Sequence, residues 1–319
     1  MTEKFDVICI GAALVDMVAQ VERYPEDDDE VFVSDLELLS GGAAANTAAA
    51  CARLGLCTAF IGKLGLNDTF GTKIINDFDE ISVNTTLLKY SKEQGTGSAY
   101  VALNKAGDRR IYAHSGAANY LSKEDIKSEE LKATKSIFLS SLKNLEPFME
   151  AARIGKENRI TVVLNPGMLI IEQGLSKIKH LLEKIDILIL SKREFLTLVS
   201  LKEKYLDQKA LEEKMHDLCS FGIKILIVTM GERGAILFNR EKSELIPPNK
   251  IDNVIDTTGA GDAFSAGFIY GFVQNLSTNF EDLKQNVKIG NYVAAMCIQK
   301  LGARNGIPSN ADLKKHFEL

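Results

Sequence analysis

The 319-residue sequence has no tryptophan and only six prolines, and no apolar run approaches the length needed to span a bilayer. The missing long run argues against a transmembrane helix, and the scattered prolines argue against a Pro-rich linker between domains. No strongly basic stretch occurs and the formal net charge is −5, so a nucleic-acid partner has little support. The five cysteines are an odd number without zinc-type or CxxC spacing. That pattern suits a reducing cytosol better than a disulfide framework. The four histidines stand singly and suggest no metal centre. A strand pattern begins at Phe5 with no room before it for a signal peptide, so a cytoplasmic protein is expected. Modest aromatic content without tryptophan leaves no identifiable platform for stacking a nucleobase. The densest charge run, Glu26 to Glu30, reads as a solvated loop between short strands rather than a metal site.

What the sequence has is alternation. Apolar runs at Val7–Ile10, Cys57–Ile61, Ile137–Leu139, Thr161–Leu164, Ile187–Leu190 and Ile225–Val228 lack polar interruption, as strands covered on both faces do. Amphipathic segments separate them. After Asp68, residues Phe70, Ile74, Ile75 and Phe78 share one helical face, with Asn67 or Asp68 available as N-cap. The reading is an α/β fold, a doubly wound and mostly parallel sheet flanked by helices, with strand order left open. Two stretches break the rhythm. Gly97–Ser115 reads as a hairpin with its turn at Lys105–Asp108, and a second strand-prone piece runs from about Val15 to Val33. We read 1–319 as one domain carrying a small protruding β lid, built from insertions at about 13–38 and 92–116.

The chemistry concentrates in Asp256-Thr-Thr-Gly-Ala-Gly-Asp-Ala-Phe264, which opens a helix with Phe264, Phe268, Ile269, Phe272 and Val273 on its buried face. Gly259 and Gly261 allow close backbone approach, and successive N–H groups at a helix N-terminus make an anion-binding concavity. Such donors suit the charge on a phosphoryl group in transfer. Asp262 lies in the first turn. A carboxylate there complements the helix dipole, worth about 0.3–1 kcal/mol. It can also take a proton from an alcohol that becomes acidic as its bond to phosphorus forms, typically worth about 10²–10⁴ in rate.

This string resembles the signature of the ribokinase-like (PfkB) carbohydrate kinases. The resemblance implies that Gly259, Ala260 and Gly261 form an anion hole, that Asp262 is the catalytic base, and that Asp256, Thr258 and Gly302 hold a monovalent cation, potassium. Further motifs fall in the family's order. Gly41-Gly-Ala-Ala-Ala-Asn46 resembles its sugar-binding loop, with Gly41, Gly42 and Asn46 on substrate hydroxyls and Asp16 beside them. Read without the family, that loop is a Gly-rich turn with Asn as N-cap. Asn119 and Asn165 are implied to reach the substrate cleft. Thr229, Gly231 and Gly234 resemble the loop on ATP, and Asn291 a position beside the adenine. Ser191 and Glu194 match an Asn-x-x-Glu motif whose Glu lies near magnesium-bound water and phosphate. Gly302–Pro308 resembles the loop completing the cation site.

The chain departs from that pattern at three places. Ser191 stands where the family has Asn. Ala43 stands where ribokinases usually carry Lys, and Ser140 begins the stretch where they place a substrate-contacting Glu. Arg109 and Arg110 of the hairpin reach either an anionic substrate or solvent. The implied function is an ATP- and Mg²⁺-dependent kinase acting on a hydroxyl of a sugar-like substrate. A nucleoside (adenosine-like) kinase is the alternative, and a non-catalytic nucleotide-binding regulatory protein a remote one. No membrane partner is expected, and the lid edge is expected to form a homodimer. A Rossmann dehydrogenase is disfavoured because Gly11-Ala-Ala-Leu lacks G-x-G-x-x-G, and a Walker-type NTPase because no G-x-x-x-x-G-K-[ST] occurs.

Overall fold

In the computed structural model, which describes residues 5–105, 108–203 and 208–318, the first strand places Val7 and Cys9 in one apolar layer and Ile8 and Ile10 in another. All four are fully buried. Burial on both faces is the reason the strand reads as an unbroken apolar run.

Along the chain the elements are β1 (Phe5–Gly11), β2 (Leu14–Val21), β3 (Asp35–Gly41), α1 (Ala43–Arg53), β4 (Thr58–Ile61), β5 (Lys63–Gly65), α2 (Thr69–Glu80) and β6 (Lys89–Ser91). There follow β7 (Thr96–Asn104), β8 (Arg109–Gly116), α3 (Ser128–Leu131), β9 (Thr134–Ser140), α4 (Glu146–Asn158), β10 (Thr161–Asn165), α5 (Met168–Ile171) and α6 (Leu175–Leu182). The last part holds β11 (Ile187–Ser191), α7 (Lys192–Leu198), α8 (Gln208–Cys219), β12 (Ile225–Thr229), β13 (Ala235–Asn239), β14 (Ser243–Ile246), α9 (Ala260–Asn275), α10 (Phe280–Cys297) and α11 (Asn310–Phe317).

The main sheet runs β14-β13-β12-β11-β10-β9-β1-β4. From β4 to β12 every pairing is parallel, and β13 and β14 close one edge as an antiparallel pair. After β1 the chain steps to β4 on one side, then returns across β1 to β9 on the other. The order therefore reverses between β1 and β9. In open α/β sheets such a switch point opens a crevice at the carboxyl ends of the strands.

A second sheet has the order β3-β2-β7-β8, with β2 and β7 parallel in its centre. Its early part differs from the sequence expectation. The second strand of that piece begins at Asp35, beyond Val33. Five adjacent acidic residues after Pro25 offer no apolar row to bury, and the chain crosses them as loop. Of the turn expected at Lys105–Asp108, Ala106 and Gly107 lie outside the described residues, while Leu103 pairs with Arg109 across it. The amphipathic helix expected after Asp68 is α2. Asp68 caps it by accepting from the Gly71 amide at 2.5 Å, with Ile74 and Phe78 fully buried.

Candidate active site

The carboxyl ends of the parallel strands supply the floor of the site. Gly11, Ser140 and Asn165 end β1, β9 and β10 in register, and Ser191 pairs with Thr229 at the ends of β11 and β12. Asn165 donates to Ser265 Oγ at 3.2 Å, and that hydroxyl donates to Gly261 O at 2.9 Å, which ties the strand end to α9.

The double-glycine turn joins β3 of the second sheet to α1 of the main body. Asp16 of β2 lies against it so closely that a Cβ on Gly41 would collide with Asp16 Oδ2. A side chain there would have to displace the Asp16 carboxylate. Burial pushes the Asp16 carboxyl up to about 6, against the pull of Arg304. Asn46 is buried in α1. Its Nδ2 donates to Asp262 Oδ2 at 3.0 Å, and its Oδ1 accepts from Arg304 Nε at 2.9 Å.

Asp262 stands in the first turn of α9. The turn before the helix needs Gly259 at φ 77°, a left-handed conformation that other residues adopt only under strain. Asp262 is half-buried as a residue, yet its carboxyl group is surrounded by protein, and burial pushes it up to about 7. The Asn46 hydrogen bond and the Arg304 charge oppose that rise, and the nearby Glu194 charge adds to it. A carboxyl group so poised exchanges a proton readily near neutral pH.

Beyond Gly261 the crevice widens into a cavity of about 720 Å³ lined by Thr229, Gly231, Gly234, Asn291, Ala260 and Gly261 among others. Asn291 is buried and donates to Pro247 O at 2.9 Å, which pins the cavity wall. Ser191 and Glu194 form a reciprocal cap on α7. The Glu194 amide donates to Ser191 Oγ at 3.2 Å, and the Ser191 amide to Glu194 Oε2 at 2.7 Å. Burial raises Glu194 although both Ser191 contacts and Arg193 favour its charge.

Asp256 gathers the loops in front of α9. Its Oδ1 accepts from the Thr258 amide (2.9 Å) and hydroxyl (2.6 Å), and its Oδ2 from the Gly302 amide (2.9 Å). Burial alone would raise this carboxyl. The Thr258 and Gly302 donors and the Arg109 charge hold it below the usual range. Arg109, at the start of β8, donates to Thr258 Oγ1 and stands 3.7 Å from Asp256. The hairpin thus touches the loop that leads into α9.

Many of the residues singled out in the sequence gather in three groups: Asp16, Gly41, Gly42 and Asn46, linked through Asn46 to Asp262; Gly231 and Gly234, on the same cavity as Gly261; and Asp256, Thr258 and Gly302, joined by hydrogen bonds. Asn119 stands apart, exposed in a 3₁₀ turn with no hydrogen bond to the others among the described residues. Two residues went unassigned. Arg109, expected at an anionic substrate or in solvent, is solvent-exposed and also donates to Thr258. Arg304 passed as one letter of a loop, although a long cation between Gly302 and the buried Ile307 is a signal of its own.

Comparisons with known proteins match the chain along nearly its whole length. The profile of the pfkB family carbohydrate kinases matches residues 4–310. The ribokinase of Staphylococcus aureus is 30% identical over 311 residues, covering 97% of each chain. The deoxyribokinase of Salmonella typhi is 28% identical over 316 residues, covering 98% of this chain and 99% of that one. The structure of Arabidopsis thaliana ribokinase complexed with ribose and ATP superposes with a TM-score of 0.87 at 25% identity over 99% of both chains. With a match from the first strand to the last helix, the chain belongs to the pfkB family of carbohydrate kinases, phosphotransferases whose acceptor is an alcohol.

Proposed function

We propose that the protein transfers the γ-phosphoryl group of ATP to a hydroxyl of a neutral sugar held between Asp16, Asn46 and Asp262. The observation that carries this reading is the 3.0 Å contact between Asn46 and Asp262, which puts the double-glycine loop and the phosphate end of α9 at one point. Asp262 takes the hydroxyl proton as the sugar oxygen bonds to phosphorus. The bond from γ-phosphorus to the bridging oxygen breaks, and ADP leaves. Amides of Gly259, Ala260 and Gly261 receive the charge on the equatorial oxygens. A neutral acceptor is favoured because Asp16 and Asp262 outnumber Arg304, the one cation whose charge acts on both.

The 720 Å³ cavity is of a size to take a nucleotide, with Thr229, Gly231 and Gly234 over the phosphates and Asn291 beside the base. Magnesium would be carried by the triphosphate and by water against Glu194. Magnesium keeps most of its waters when held by phosphates and one or two carboxylates. A monovalent cation fits beside Asp256, whose carboxylate retains lone-pair capacity after its three hydrogen bonds, with Thr258 and Gly302 completing the loop.

The second sheet acts as a lid over the sugar, and its edges as the dimer contact. Leu36 and Leu38 on β3, with Ile111 and Tyr112 on β8, expose apolar surface on both edge strands. A dimeric scattering mass at micromolar concentration is expected, and a monomeric mass removes the contact.

The deciding experiment measures ADP release with D-ribose, 2-deoxy-D-ribose, D-fructose, a keto-deoxy acid and adenosine as acceptors, magnesium and potassium being varied. Turnover of a sugar is expected. Preferential turnover of adenosine would make the protein a nucleoside kinase, and silence with every acceptor would sink the proposal.

A further inference from the structure

Arg304 is an expensive residue to keep where it is. Its Nε donates to Asn46 Oδ1, but Nη1 and Nη2 are sealed from solvent and have no hydrogen-bond partner among the described residues. Removing guanidinium N–H groups from water without acceptors is unfavourable. Desolvation lowers the group to about 10, while Asp77 of α2, Asp262 of α9 and Asp16 of β2 hold its charge in place. Asp77 is already engaged by Lys73 at 3.0 Å and by Ser40 Oγ at 2.5 Å, so it is not Arg304's partner alone. The guanidinium also lies 5.5 Å from the centre of the Phe78 ring. A side chain kept only for stability would be better satisfied than this.

Among the described residues, the one directed bond that Arg304 makes has a consequence at Asn46. An Asn side chain has an acceptor end and a donor end. Guanidinium offers only donors, and an ionised Asp262 only acceptors. With Arg304 on one side and Asp262 on the other, a single orientation of the Asn46 amide satisfies both, with Oδ1 to Arg304 and Nδ2 to Asp262. Without Arg304, nothing among the described hydrogen bonds keeps Oδ1 on that side.

We propose that Arg304 is a positioning residue for phosphoryl transfer, acting through Asn46 to hold the Asp262 carboxylate in line with the acceptor hydroxyl. This rests on the reading of Asp262 as the base. Charges facing the pair come from Asp16, Asp77 and Glu194, and the buried Cys297 thiol stands close to Asp262. None of them donates to Asn46, so none replaces the directed bond.

The test is a double-mutant cycle of Arg304→Met and Asn46→Ala, using ATP and whichever sugar of the panel turns over fastest. Arg304→Met is expected to lower kcat about ten- to hundredfold with little change in the KM for ATP. Asn46→Ala should lower it comparably. The double variant should be no slower than Asn46→Ala alone, because the second change removes a bond whose purpose is already gone. Partial recovery of an Arg304→Ala variant by added methylguanidinium would support the same assignment. Multiplicative losses in the double variant, or an unchanged kcat in Arg304→Met, overturn it. A crystal structure of Arg304→Met reads the point without turnover: Asn46 is expected to leave Asp262, and an undisturbed 3.0 Å contact overturns the inference. Near-normal turnover by Asp262→Asn would instead overturn the role of the base itself, a separate result.

Discussion

Asp16 Oδ2 occupies the space where a side chain on Gly41 would begin. The carboxylate and the glycine therefore pack against each other on neighbouring strands of the second sheet. Gly41→Ala should push Asp16 aside and raise the sugar KM about tenfold, the factor expected for one weakened polar contact. ATP affinity, measured by calorimetry, should be unchanged. An unaltered sugar KM would show that Asp16 does not hold the acceptor.

Asp262→Asn keeps the shape of the side chain and its bond to Asn46 within reach while removing the base. kcat should fall by at least about a hundredfold with ATP affinity nearly constant. Stopped-flow or steady-state assays with saturating sugar give the answer directly.

The same carboxyl has a pH signature. With Asp262 raised to about 7, the base is protonated below that pH, and kcat/KM should decline as the solution is acidified through neutrality. Stability runs the other way. A carboxyl raised on folding binds its proton more tightly in the native state, so its contribution is full below pH 4 and is lost as pH rises through about 7. Asp262→Asn should therefore melt above the wild type at pH 8, and the gap should narrow towards pH 4. A lower melting temperature for the variant at pH 8 would contradict the raised value.

Ser191 caps α7 with Glu194. Ser191→Ala should cost about 1 kcal/mol in urea unfolding, whereas Ser191→Asn, an equally good cap, should cost little. A loss with both would mean that the reciprocal pair, rather than the cap alone, is needed.

Arg109→Ala cuts the hairpin from Thr258 and Asp256. Since the pair is partly exposed, stability should change by less than about 1 kcal/mol. ATP hydrolysis in the absence of sugar should rise, because a looser lid admits water. A hydrolysis rate equal to wild type would leave the contact without a gating role.

The parallel strands could be read from the sequence because each is covered on both faces and so is apolar at every position, as in Ile187–Leu190. β3 was harder to read, because its leucines Leu36 and Leu38 face outward at a sheet edge instead of into a core. Strand order depends on which side of β1 each crossover passes, and no local residue records that. The glycine motifs were visible because backbone geometry restricts the residue type at Gly42 and Gly259, both at positive φ. Arg304 was not, since its meaning comes from Asp16, Asp77 and Asp262, which arrive from three distant segments.

The α9 helix is enclosed along its length, with Ala263 to Val273 buried, and it packs on both α1 and α10. On the proposed reading, the donor half of the reaction is thereby anchored in a buried helix, while Asp16 stands on the second sheet outside the main body. Such a division of labour lets substrate preference drift through changes in β2, β3, β7 and β8 at small risk to phosphate handling. A single scaffold can in that way serve many acceptors without rebuilding its core.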